Sequence, residues 1–167
     1  KDKSFSDISA LTSINSKWHD GTATVTKDGN TMYFASESFN TKKGFEKEKT
    51  PSKILKKGQI YLYKATKVEG KWTNTTLLPF NKVGYSVRNP SISEDGKTLY
   101  FSSNMPGGLG EEDIWKVTID GDSYGNPENL GKNINSIKNE SFPFITSKEV
   151  LYFSSKNNVT GLAINIE

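Results

Sequence analysis

The chain has 167 residues, 22 Lys and Arg against 19 Asp and Glu, a formal net charge of +3, and 11% aromatic residues. That length supports one domain with a real core, and the aromatic content argues against wholesale disorder. With no Cys and a single His, His19, the sequence excludes disulfides, thiolate metal sites, Cys nucleophiles and multi-His centres.

No apolar run approaches the roughly 20 residues of a membrane helix. The polar start, Lys1 to Asp7, predicts a mature or trimmed end rather than a signal peptide. In chain order, residues 8–15 read as the outer strand of a unit whose earlier strands lie before it. Asp28-Gly29 then marks a tight hairpin turn, where Gly supplies the positive φ, and it runs into a strand through Tyr33 and Phe34. Residues 37–58 interrupt the pattern. Within 41–58 there are seven Lys (Lys42, Lys43, Lys47, Lys49, Lys53, Lys56, Lys57) and two Glu, a local balance of +5 that leaves −2 for the rest of the chain. This segment predicts a protruding or poorly ordered loop, solvated in the bland reading and touching an anionic partner or lipid head group in the sharper one. Strands over 59–64 and 72–78 complete the first unit.

A second unit follows with the same grammar. A short strand over 89–93 enters the Asp95-Gly96 turn, and a strand over 98–103 carries Tyr100 and Phe101. A Gly-rich connection over 106–110 precedes a third strand over 113–117 and an outer segment near 124–130. A third unit begins near residue 138 and carries Tyr152-Phe153. The tyrosines Tyr33, Tyr100 and Tyr152 lie 67 and 52 residues apart, and the insertion accounts for the longer interval. Landmarks such as Trp72 and Tyr124, or Pro90 and Pro143, keep a period near 52. No stretch holds a 3.6-residue period, so helix content should be very low. Four short antiparallel strands per unit predict an all-β fold of about three β-propeller blades, a partial propeller over 1–167. The units span about 18–80, 85–135 and 138–167. In stacked blades both faces are buried, so each Tyr-Phe pair is expected in the core.

The run Ser93-Glu94-Asp95-Gly96-Lys97-Thr98-Leu99-Tyr100-Phe101-Ser102-Ser103 resembles the WD40-like repeat of TolB-type periplasmic propellers. Met105 to Trp115, Asn129 to Asn135 and Glu140 to Ile145 extend the resemblance to OmpA-family envelope proteins of the Bacteroidetes. The matches cover about residues 8–155, whereas residues 158–164 lack the Gly-Gly-x-Asp-Ile-aromatic ending. The resemblance implies the periplasmic face of the outer membrane and a scaffolding role there. It also implies partners among other envelope proteins, or the remainder of a larger propeller, with membrane association only indirect.

Candidate sites are few. A sialidase-type Asp box needs one residue between Asp and Gly, and Asp95-Gly96 are adjacent, as are Asp28-Gly29. Glu111, Glu112 and Asp113 could offer oxygens to calcium, but consecutive strand residues point to opposite faces, and the loop before them reads equally as a turn that re-aims the strand. His19 lies beside no nucleophile motif and predicts a structural hydrogen bond. Basic residues are not interleaved with stacking aromatics, so nucleic acid is not an expected partner. No cofactor is expected. The chain reads as a non-catalytic interaction module, with a carbohydrate- or peptide-binding propeller as the alternative and a hydrolase as the remoter one.

Overall fold

A computed structural model of the chain describes residues 10–16, 19–37, 46–49, 54–57, 59–156 and 163–165. The described residues form antiparallel sheets and no helix. In chain order, β1 (Asp20–Val25) and β2 (Thr31–Glu37) form a hairpin, followed by β3 (Glu46–Lys49) and β4 (Ile54–Lys57), which pair with each other. Then β5 (Ile60–Val68) joins β2, and β6 (Lys71–Leu77) joins β5, giving a first sheet in the order β1-β2-β5-β6.

The second sheet comprises β7 (Val87–Ile92), β8 (Thr98–Ser103) and β9 (Asp113–Asp120), with two short outer pieces. These pieces, β10 (Ser123–Tyr124) and β11 (Glu128–Asn129), both pair with β9. The third sheet has β12 (Glu140–Ile145), β13 (Val150–Ser155) and β14 (Ala163–Asn165).

The second strand of each sheet is apolar because its two faces meet different neighbours. On β2, Tyr33 and Ala35 turn toward the second sheet, where they join Leu99, Phe101, Trp115 and Val117. Met32 and Phe34 turn the other way and pack with Ile14, Tyr61 and Tyr63. The pattern repeats one sheet on, where Tyr100 and Ile114 meet Ile145, Leu151 and Phe153 of the third sheet. Each sheet is thus a layer, and the layers stack face to face.

The connections between layers are built alike. The Asn81 side chain accepts from Leu62 N and donates to Leu62 O, both at 2.9 Å. Asn135 grips Ile114 the same way, at 2.7 and 2.9 Å. A side-chain amide thereby reaches both backbone groups of a buried third-strand residue, whose carbonyl also accepts from Leu78 N at 3.0 Å or Leu130 N at 3.2 Å. A second recurring device stands at the start of the first strand. Asp20 accepts from Ser36 Oγ and from Ser16 N and Oγ. The buried Glu140 accepts from Ser155 Oγ and from Ser136 N and Oγ.

Three expectations are corrected. Residues 12–14 form a turn rather than an outer strand, with Ile14 N and Asn15 N both donating to Leu11 O. The same bonds recur at Gly131, Ile134 and Asn135, so 11–15 is the connection that precedes a layer. Residues 8 and 9 lie outside the described residues. The insertion is not simply a loop, because β3 and β4 pair in register from Glu46 opposite Lys57 to Lys49 opposite Ile54. Tyr152 is not a core residue. It is 48% exposed, because no described layer covers the outer face of the third sheet.

Candidate functional site

Two surfaces stand out once the layers are assembled. The first is the outer face of the third sheet. Phe144 on β12 lies opposite Tyr152 on β13, and they are 60% and 48% exposed. Phe142, in the bulge of the same strand at φ 55° and 58% exposed, lines instead a cavity between the layers. The equivalent tyrosines of the other layers, Tyr33 and Tyr100, are 3% and 7% exposed. Large rings clustered on a sheet face mark a surface that is ordinarily covered.

The second is a cavity of about 200 Å³ where the first strands of all three layers converge. Asp20 lines it from the start of β1 and His19 from the residue before, Arg88 from β7, Glu112 from the entry to β9 and Phe142 from β12, with Ile60 on its wall. The chain has one histidine and one arginine, and both stand at this cavity. Arg88 Nε donates to Glu112 Oε1, whose side chain is 9% exposed against 40% for Arg88. Glu112 is itself fixed, since its carbonyl accepts from Glu140 N at 2.8 Å.

The three acidic residues of the Gly-rich connection go to separate partners. Glu111 accepts from Asn139 Nδ2 at 2.8 Å, and Glu112 holds Arg88. Asp113, almost fully buried, turns back to accept from Leu109 N, Gly110 N and Asn129 Nδ2. Among the described residues, no group of three or more His, Cys, Asp or Glu is placed to hold a metal ion. The glycines of this connection serve close approach. A side chain at Gly110 would run into the carbonyl oxygens of Ser136 and Lys138, and one at Gly108 into the Asp113 carboxylate.

The lysines singled out in the sequence belong to the segment that carries β3 and β4. Lys47 and Lys49 stand on β3 and Lys56 and Lys57 on β4, whereas Lys42, Lys43 and Lys53 lie outside the described residues. The hairpin residues Asp28 and Asp95 are structural. Thr26 Oγ1 donates to Asp28 and Ser93 Oγ to Asp95, and these hydrogen bonds lead the lowering of each carboxyl below its ordinary value. Gly29 and Gly96 stand at φ 73° and 72°, the conformation expected of the Asp-Gly pair. Sequence reasoning missed Arg88 and Phe144. The available signals were the uniqueness of the arginine, and an aromatic in the third unit at the place of Ser91 in the second. Comparison with protein-family models and with curated proteins gives no match for this chain.

Proposed function

We propose that the three layers are blades of a β-propeller and that the chain is a non-catalytic protein-interaction module. We further propose that it belongs to an OmpA-family protein at the periplasmic face of the bacterial outer membrane. The observation that carries this reading is the outer face of the third sheet. Phe144 and Tyr152 are exposed there, at a position where each preceding layer is covered by the next. A propeller buries such faces by closing its ring, so the natural cover is a further blade or another envelope protein. The WD40-like run over 93–103 supports the choice of family, and the separate employment of Glu111, Glu112 and Asp113 supports a structural connection rather than a reactive centre.

The test is sedimentation velocity and near-ultraviolet circular dichroism on the isolated chain. The expected result is concentration-dependent association or binding of an apolar dye, both reduced in a Phe144→Ser/Tyr152→Ser double variant. A dye-free monomer with a sharp unfolding transition, unchanged by the double variant, would overturn it. A photo-crosslinker at position 152 of the protein in cells should capture an envelope protein. Capture of cytoplasmic proteins alone would remove the envelope assignment.

A further inference from the structure

We propose that the cavity between the three first strands binds a free carboxylate carried on a small apolar group. This inference goes beyond the interaction module and does not rest on reading the layers as propeller blades.

The starting point is the way Arg88 is held. Its Nε is bound to Glu112, and no other hydrogen bond engages its side chain among the described residues. The two terminal amino groups of the guanidinium are therefore left over, on a side chain that lines the cavity and is 40% exposed. A planar pair of parallel N–H donors matches the two oxygens of a carboxylate. The buried Glu112 fixes the guanidinium from behind, so little side-chain freedom remains to be lost on binding.

The neighbouring polar groups do not compete for Arg88. Asp20 already accepts from Ser36 Oγ and from the backbone and hydroxyl of Ser16. The amide of Asn89 is used at both ends, accepting from Thr22 Oγ1 at 3.2 Å and donating to Ser102 Oγ at 2.9 Å. The remaining lining is His19, Gly21 and Ser141 together with an apolar part made by Ala35, Ile60 and the exposed ring of Phe142. A volume of about 200 Å³, below the roughly 300 Å³ at which common small-molecule clefts begin, suits a residue-sized group. The two carboxylates, Asp20 and Glu112, outnumber the one guanidinium, so recognition rests on the short-range fork against a slightly unfavourable wider field. Binding is accordingly expected to be weak and only slightly dependent on salt.

A carboxylate on an apolar body could be the end of a peptide chain or a small organic acid, and three probes separate these. Nitrogen-15 labelled chain is titrated with N-acetylphenylalanine, with 3-phenylpropionate and with N-acetylphenylalanine amide, following the backbone signals of Gly21, Asn89 and Ser141. The first two should shift those signals and the amide should not. A tenfold or greater preference for N-acetylphenylalanine assigns the peptide end, and equal binding assigns the small acid. Arg88→Lys, which keeps the charge but loses the fork, should weaken binding at least about tenfold while the melting temperature holds. Phe142→Ala should weaken both acids without abolishing the dependence on the carboxylate. No shift up to about 10 mM acid, an affinity too weak to be specific, overturns the proposal. So does equal binding of the amide, an outcome that decides the matter on the unaltered chain even if Arg88→Lys fails to fold.

Discussion

Glu149 occupies a backbone conformation that its counterparts assign to glycine. Gly29 N and Gly96 N donate to Thr26 O and Ser93 O, and Glu149 N donates to Thr146 O in the same turn. The glycines stand at φ 73° and 72°, and Glu149 at 59°. A side chain in the left-handed region costs about 1–2 kcal/mol, part of which Gly gives back through its freer unfolded state. Glu149→Gly should therefore stabilise the chain by about 1 kcal/mol, and Gly96→Val should destabilise it by about 1–3 kcal/mol. Urea melts of both variants check this, and equal midpoints would remove the turn from the account. The Asp-Gly pairs were legible because only the turn demands them. Glu149 was not legible, because the third turn is one residue shorter and carries no glycine to announce it.

The connection before each layer behaves as an element in its own right. Asn135 supplies the only side-chain partner given to Ile114 N and O, on a residue with no solvent exposure. Removing its amide leaves the buried Ile114 N unmet, at about 1–3 kcal/mol, while Ile114 O keeps the bond from Leu130 N at 3.2 Å. Asn135→Ala should thus cost about 1–3 kcal/mol in a urea melt, whereas Asn15→Ala, at an exposed site, should stay within about 0.5 kcal/mol. Comparable losses would show that Asn15 is also gripping a strand. The match of Asn15-Ser16 to Asn135-Ser136 was visible in the sequence, and it defines 11–15 as a connection rather than the outer strand of a preceding unit. The β3–β4 hairpin escaped notice because β3 alternates Glu with Lys and β4 is Ile-Leu followed by two Lys, so neither shows the apolar–polar alternation of a strand. Among the described residues, this hairpin pairs with no other strand. Replacing 38–58 by a short Gly-Ser turn should leave the melting temperature within a few degrees, since shortening a loop changes closure entropy only slowly. A collapse of the thermal transition would make the hairpin part of the core.

At the scale of the whole molecule, the buried rings set the response to alkali. Burial pushes the hydroxyls of Tyr85 and Tyr100 above their ordinary value of 10.0, and Tyr124 much further, through burial first and then the hydroxyl of Tyr33. A tyrosine whose folded pKa is raised favours the fold fully below the unfolded value, and that contribution falls as pH climbs past it. Stability should therefore decline above about pH 10, and Tyr124→Phe should flatten the decline. Melting temperatures between pH 8 and 11 measure this, and an identical slope in the variant would remove Tyr124 as the source. The lowered carboxyls of Asp28 and Asp95 act at the opposite end. Their contribution is present above the unfolded value of 3.8 and disappears as pH falls through the lower folded values.

The layered, all-β character was legible from the period and the apolar second strands, whose residues meet neighbours on both faces. The cavity was not, because Arg88, His19 and Phe142 are far apart in the chain and only the stacking of layers unites them.

The stacking also has a direction. Ile92 N of the second layer donates to Thr24 Oγ1 of the first at 3.3 Å, and Ile145 N of the third donates to Ser91 Oγ of the second at 3.0 Å. Each layer thus offers a hydroxyl to its successor, like a link that leaves an open hook. In the third layer Phe144 stands where Thr24 and Ser91 stand in the others, and a ring has no oxygen to offer. The rule that joins the first two pairs therefore stops at Phe144. Whatever rests on that face must find another acceptor for its own N–H, so a further blade seated there would differ from the layers beneath it at this one bond.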